Sequence, residues 1–440
     1  MILNRLRERI FWLIDSLKGG MIFDSYITIK KIDLVNSNDE YVLEYQRKMW
    51  NNLRNHACLT TGYYEKYSEK DICEFPIINK NVIRESQDCF FSNKYKKSDL
   101  IRMATSGSTG TPFICHQDIN KKRRVNAEII YYSEKIGYRL GDNLSYIRTI
   151  VKQNSKPYLK QFIQNQTLIQ CNSLSDTGIK DILDQVKKYG TMNGTTLLGY
   201  GSTYTVLNEY LNKKKIYDLK MYGVRGIISG SDMLFDETRK NMEDVFGCKM
   251  VSRYSNEENG VLGQDEGVNN LFTINEADYI VEIVDDDGKR VPNGQIGRIV
   301  VTDLFNYAMP MIRYDTGDAG AIETININGR NKKVISHFSG RITDLIFDSK
   351  GNPLSPHTIT NCMWSFPDVR QFQLIQLDKK SYKLKINIDN SFDRINELAN
   401  EITSILGIDS EIDIEKVNEI PVLKSGKRRY IVNEWYCKGK

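Results

Sequence analysis

No two cysteines of the 440-residue sequence stand at C-x-x-C spacing, and its four histidines are scattered. That spacing speaks against a structural zinc site. The eight cysteines, in a long chain without a secretory leader, read as reduced thiols of a cytoplasmic protein. Long apolar runs are also missing. The longest near the N-terminus, Ile10 to Ile14, is far short of a membrane span, and no small-residue cleavage site follows it. Neither sign of charge dominates: the net charge is +5, too weak to argue for nucleic acid. The short basic runs KKRR (121–124) and KKK (213–215) read as solvated helix faces or loops. No internal repeat or low-complexity segment is visible.

What is present is an ordinary globular composition, with 40% hydrophobic and 27% charged residues, on a chain long enough for two or three domains. Residues 1–100 read as mostly helical. At helical spacing Leu3, Leu6, Ile10, Ile14 and Leu17 share a face, with Arg5 and Arg9 off it. Such a helix either docks that face on the protein's own core or lies, through residues 1–19, on the inner membrane surface or a partner. From about residue 100 strands alternate with helices. This predicts a largely parallel sheet with ligand sites at strand ends. Examples are the buried strand VRGIISGS and the helix DETRKNMEDVFG that follows it. Residues 277–304 instead alternate apolar and polar, with Asp287-Gly288 and Asn293-Gly294 at turn positions, and predict antiparallel hairpins. The last hundred or so residues have the pattern of a small α+β domain. The predicted fold class is therefore α/β. A large multi-lobed N-terminal domain (1–343) has mixed sheets flanked by helices, and a small C-terminal domain (345–440) joins it at Asp344.

The stretch TSGSTGTPF (105–113) carries two glycines, five hydroxyl side chains and no charge. A glycine-rich turn after a strand exposes successive N–H groups that suit a phosphate. It is not a Walker A loop, because no G-K-[ST] follows, and this speaks against a P-loop kinase or ATPase. Taken singly, it is also an ordinary Ser/Gly/Thr turn. Further along come YSNEENG (254–260) with two carboxylates, MIRYDTGD (311–318), GRITD (340–344) and PVLKSGKRRY (421–430). Each has a plain reading as surface acid, turn former or solvated pair. Their order and separation do not.

The ordered set resembles the adenylate-forming superfamily of acyl-CoA synthetases, peptide-synthetase adenylation domains and luciferases. The phenylacetate-CoA ligase-like branch is the best match, in particular the CapK-type proteins of capsule and surface polysaccharide loci. HACLTTGYYEKY, FPIINKNVIRE and GYGSTYTVLNEYL add branch-level similarity, so the resemblance spans nearly the whole chain. It implies that Thr105, Ser106, Gly107, Ser108, Thr109, Gly110 and Thr111 close over the β- and γ-phosphates of ATP. Ser229, Gly230 and Ser231, with Asp232, would border adenine and the acyl pocket, and Tyr254 would stack near adenine. Glu258 would hold Mg²⁺, with Glu257 as the alternative ligand. Asp318 would accept from the ribose hydroxyls and Arg341 would add a positive charge there. Asp344 would be the hinge of a mobile C-terminal domain. Lys427, with Lys424 as its rival, would bridge carboxylate and α-phosphate as a catalytic cation.

The expected partners are then a small carboxylic acid and an acceptor: the thiol of CoA or a carrier, an amine, or a sugar. Such chemistry needs no side-chain nucleophile, consistent with the lack of a Ser/His or Cys/His signature. Two other readings stand beside it: an aryl-CoA ligase of phenylacetate type working in catabolism, and a non-catalytic nucleotide-binding scaffold. The sequence departs from the superfamily pattern in having Phe113 where lysine is frequent, Ser255 after Tyr254 where glycine is usual, and GYGS for Gly-Tyr-Pro-Ser.

Overall fold

The computed structural model describes residues 2–105, 113–150, 155–231, 233–267, 271–339, 346–354, 356–366, 368–388, 392–420 and 430–437. Its first hundred residues are helical, as the sequence predicts: α1 (Ile2–Leu17), α2 (Met21–Asp33), α3 (Glu40–Thr60), α4 (Lys80–Glu85) and α5 (Gln87–Phe90). Asp39 caps α3 by accepting from the Tyr41 N–H, and Asn79 caps α4 by accepting from Asn81 and Val82.

The glycine loop joins β1 (Ile101–Thr105) to β2 (Phe113–Gln117). These two strands form an antiparallel hairpin that is a sheet of its own. The loop is too short for the crossover that parallel pairing requires. The helix α6 (Ile119–Glu134) follows, N-capped by Asp118.

Helices and strands then alternate: β3 (Asn143–Arg148), α7 (Tyr158–Gln164), β4 (Gln166–Gln170), α8 (Asp176–Asn193), β5 (Thr195–Tyr200), α9 (Gly201–Lys214), β6 (Val224–Gly230), α10 (Asp236–Phe246) and β7 (Lys249–Asn256). In space β4, β3, β5, β6 and β7 lie side by side and parallel. Helices α8, α9 and α10 bury Ile182, Val186, Leu207, Leu211, Met242 and Phe246 against this half of the sheet.

After β7 the chain reverses in a tight turn into β8 (Gly260–Asp265), and every later pairing in the sheet is antiparallel. The remaining strands are β9 (Phe272–Ile274), β10 (Tyr279–Val284), β11 (Gly297–Asp303), β12 (Tyr314–Ile327) and β13 (Arg330–Ser339). The result is one sheet of eleven strands, ordered β10-β11-β12-β13-β9-β8-β7-β6-β5-β3-β4. The expected hairpins at 277–304 are present as β10 and β11, which pair from Tyr279 opposite Asp303 to Val284 opposite Arg298.

A smaller α/β part follows. A short pair, β14 (Ile346–Phe347) and β15 (Pro353–Leu354), precedes a four-stranded sheet. Its strands are β16 (Val369–Gln376), β17 (Ser381–Ile388), β18 (Glu411–Lys416) and β19 (Ile431–Asn433). The helix at Ile395–Leu406 covers it through Leu398, Ile402 and Leu406. The segment around Asp344, proposed above as the joint, lies outside the described residues.

One sequence reading is corrected. KKRR does not form a solvated helix face, because Lys121 and Arg124 are buried. The Lys121 ammonium lies 2.8 Å from Asp303 and 3.9 Å from Glu128 and donates to the Tyr279 hydroxyl at 3.1 Å. Arg124 pairs with Asp278 at 2.5 Å. The closest acids, Asp303 of β11 and Asp278 in the turn before β10, are more than a hundred residues away in sequence, so local charge counting cannot see them. Gly260 opens β8 against this network at φ +132°, and a Cβ there would stand 2.3 Å from a Glu128 oxygen.

Candidate active site

The parallel strands end where the antiparallel half begins, and the candidate residues collect along that seam. β6 ends at Gly230 and turns through Ser231, which holds a left-handed φ of +69°. Such a conformation is costly for serine and marks a turn held by its surroundings. Among the described residues, beyond its chain neighbours, nothing lies within 4 Å of where a Gly230 Cβ would stand at this strand end. Beside it the buried Ser229 hydroxyl has no hydrogen-bond partner among the described residues, and neither do those of Thr203 and Tyr204 in the first turn of α9. Orphaned buried hydroxyls at a strand end are what a polar ligand would satisfy.

On the next strand, β7, the Tyr254 ring is buried against Phe272 and Phe338. Its hydroxyl donates to Asp318 Oδ2 at 2.9 Å. Burial, reinforced by the Asp318 carboxylate, pushes the phenol well above its ordinary range, so it stays a donor. Asp318 sits on β12 just after Gly317, which turns the chain at φ +74°, and its own N–H donates to Thr316 Oγ1 at 3.2 Å.

The β7–β8 turn carries the two glutamates, and the structure separates them. Glu258 is buried, and its Oε1 lies 2.8 Å from Lys80 Nζ and accepts from the Tyr314 hydroxyl at 2.9 Å. Burial alone would raise its pKa, but Lys80 and Tyr314 overcome that and hold it below the usual carboxylate value. Glu257 is exposed on its outer side, yet the protein around it and Glu258 push its pKa up, against Lys122 and Arg148.

Among the described residues, no three His, Cys, Asp or Glu side chains gather into a self-sufficient metal site. A lone buried carboxylate is nevertheless suited to Mg²⁺ that arrives on phosphates, since this ion keeps its waters and uses one or two carboxylates.

Lys80 was not among the predicted site residues. It opens α4, and one turn on lies Arg84. Both cations stand over the Phe113 ring, at 5.5 and 5.9 Å from its centroid. Phe113 in turn stacks on Tyr314, 6.4 Å between centroids, so the base of the glycine loop and the Glu258 cluster are one packed unit. The available signal was Asn79 as a helix cap followed by Lys80 and Arg84 at i, i+4, within FPIINKNVIRE. Arg84 also feels Tyr430, the first described residue after 421–429. The chain therefore re-emerges from that segment close to the same cluster.

Thr105 closes β1 opposite Phe113. Ser106, Gly107, Ser108, Thr109, Gly110, Thr111, Asp232, Arg341, Asp344, Lys424 and Lys427 lie outside the described residues. A cleft of about 280 Å³ between residues 94–100 and 118–120 shares no residue with the site.

Comparison with known proteins bears on this arrangement. Residues 346–434 match the family model of the CapK C-terminal domain. The chain is 26% identical to Protein CapK of Staphylococcus aureus over 380 residues, covering 84% of this chain and 82% of that protein. It is 23% identical to phenylacetate-coenzyme A ligase of Pseudomonas putida over 379 residues, or 83% of this chain and 77% of that one. A solved structure of 2-hydroxyisobutyryl-CoA ligase with 2-HIB-AMP and CoA has the same fold, with a TM-score of 0.58 at 17% identity over 92% of each chain. The chain is thus similar over most of its length to CapK and to phenylacetate-coenzyme A ligases, and it shares the fold of an acyl-CoA ligase.

Proposed function

We propose that the protein is an ATP-dependent, AMP-forming ligase that activates a small carboxylic acid and passes the acyl group to a thiol, amine or sugar acceptor. The observation that carries this reading is the Tyr254–Asp318 hydrogen bond with Glu258 nearby, at the seam between β6, β7 and β12. A carboxylate oxygen attacks the α-phosphorus of ATP, forming an acyl-adenylate and releasing pyrophosphate. The acceptor then attacks the acyl carbon and AMP leaves.

Tyr254 and the Ser229–Ser231 turn border the nucleotide, and Asp318 accepts from the ribose hydroxyls. Residues 105–111 give N–H and hydroxyl donors to the phosphates, with Lys80 and Arg84 as cations at the loop's base. Glu258 holds Mg²⁺, which when bound neutralises phosphate charge. Arg341 adds positive charge at the ribose. Lys427 stabilises charge at the α-phosphate and is withdrawn for the second step by rotation of residues 345–440 about Asp344.

The CapK relationship, with its domain match at 346–434, favours a role in capsule or surface polysaccharide synthesis over catabolism. A cytoplasmic enzyme with an accessory contact through residues 1–19 fits that setting.

The decisive experiment is acid-dependent ATP–pyrophosphate exchange over aromatic, short hydroxy, amino and sugar acids. Exchange with one class is expected. ATP binding without exchange for any acid, even with CoA or an acceptor extract present, would instead favour the scaffold.

A further inference from the structure

The helix α1 docks by its polar side. Asn4 donates to Asp142 at 3.0 Å, and the buried Asp15 accepts from the N–H groups of Ile22 and Phe23 at 3.2 and 2.9 Å. The apolar face read from the sequence points outward instead: Leu3, Leu6, Ile10, Ile14 and Leu17 are 45–79% exposed, and Ile2 and Leu13 extend it.

A second exposed apolar face adjoins it. Tyr158, Leu159, Phe162 and Ile163 of α7 are 54–83% exposed. Arg7 of α1 joins the two helices, since its guanidinium donates to the Phe162 carbonyl at 3.2 Å and lies 5.2 Å from that ring's centroid. A soluble chain rarely leaves so much adjoining apolar surface uncovered without a use for it.

The charges around these faces indicate the occupant. On α1 and the turn after it, Arg5, Arg9 and Lys18 are exposed, and on α7 Lys160 is exposed. The acids of α1 are turned away: Asp15 is buried, and Glu8 is half-buried on the side of Tyr26 and Glu134. α7 has no acid. By helix geometry the α1 apolar arc is roughly 120° wide, with Arg5 and Arg9 on one flank and Arg7 and Lys18 on the other. A second copy of the chain would bring like charges together. An anionic lipid surface would meet both the apolar stripe and the basic flanks. None of the described helices is long and apolar enough to cross a membrane.

We propose that α1 and α7 form a docking face for an anionic phospholipid bilayer, with α1 lying in the plane of the headgroups. The face shares no residue with the ligase site and does not depend on its chemistry.

The test is co-sedimentation of the full chain with vesicles of phosphatidylglycerol and phosphatidylcholine in equal parts, against phosphatidylcholine alone. Binding to the anionic vesicles only, weakening as salt is raised, is expected. Leu6→Asp with Ile10→Asp should reduce it about ten-fold or more. Arg5→Glu with Arg9→Glu, which leaves the apolar stripe intact, should do likewise. Circular dichroism should be unchanged in both, since the four positions are exposed. No binding, equal binding to both vesicle types, or wild-type binding by a folded variant would overturn the proposal. So would a dimer that Leu6→Asp/Ile10→Asp dissociates without any vesicle binding, which would assign the face to a second copy.

Discussion

Lys80 Nζ sits 2.8 Å from Glu258 Oε1, and both side chains are largely withdrawn from water. One residue opens a six-residue helix near the N-terminus and the other lies in a hairpin turn 178 positions later. The pair ties the helical N-terminal region to the central sheet. Removing one member leaves the other charge buried without its counter-ion. Lys80→Met should therefore lower stability by about 3 kcal/mol in urea denaturation. Lys80→Met with Glu258→Gln should recover most of the loss. If the single and double variants melt alike, the pair does not carry this strain.

The same pair sets an acid limit. Glu258 is held below its ordinary pKa of 4.5 in the folded chain. Its stabilising contribution is thus complete above about 4.5, the value it takes in the unfolded chain, and is lost as pH falls through the lower folded value. Glu258→Gln, which has no such proton to gain, should show a shallower fall in melting temperature below pH 4.5 than the wild type. Parallel curves would show that Glu258 does not titrate in this way.

Asp318→Ala should weaken ATP binding by about 1.5–3 kcal/mol for each charge-assisted hydrogen bond lost. It should also release the Tyr254 hydroxyl from its 2.9 Å contact. Isothermal titration calorimetry checks the affinity, and unchanged binding would remove Asp318 from the nucleotide site.

Lys427→Ala should abolish pyrophosphate exchange yet still transfer the acyl group from a preformed acyl-adenylate. Lys424→Ala should leave both exchange and transfer intact. An exchange rate unaffected by the first and abolished by the second would reverse the assignment between the two lysines.

Much of the fold was legible in the sequence because its signals are local. The helix 395–406, the strand 224–230 and the turns at Gly288 and Gly294 follow from apolar period and glycine position alone. The candidate site was assembled by resemblance and order of motifs, and of its residues Tyr254 and Asp318 meet in the fold. Long-range charge was not legible. Lys121 looked like one of four solvated cations, because Asp303 and Tyr279, which enclose it with Glu128 of its own helix, reach it only through folding. Lys80 escaped for the same reason, since its partner is visible only when β7 and β8 turn beside α4. The outward face of α1 is the reverse case. Its periodicity was read correctly, but periodicity cannot say which side of an amphipathic helix the rest of the chain will take, and here Asn4 and Asp15 took the polar one.

The hairpin of β1 and β2 shares no backbone ladder with the eleven-stranded sheet. It is hung instead on side chains: the buried Phe113 and Cys115, and the amides of Gln87 and Asn306, which donate to the Ile114 and His116 carbonyls at 3.1 and 3.0 Å. Its amide protons can therefore trade with solvent deuterium through a small, local opening, while those of β5, β6 and β7 must wait for the whole sheet to part. These two strands can thus open and re-form without any ladder of the central sheet being broken.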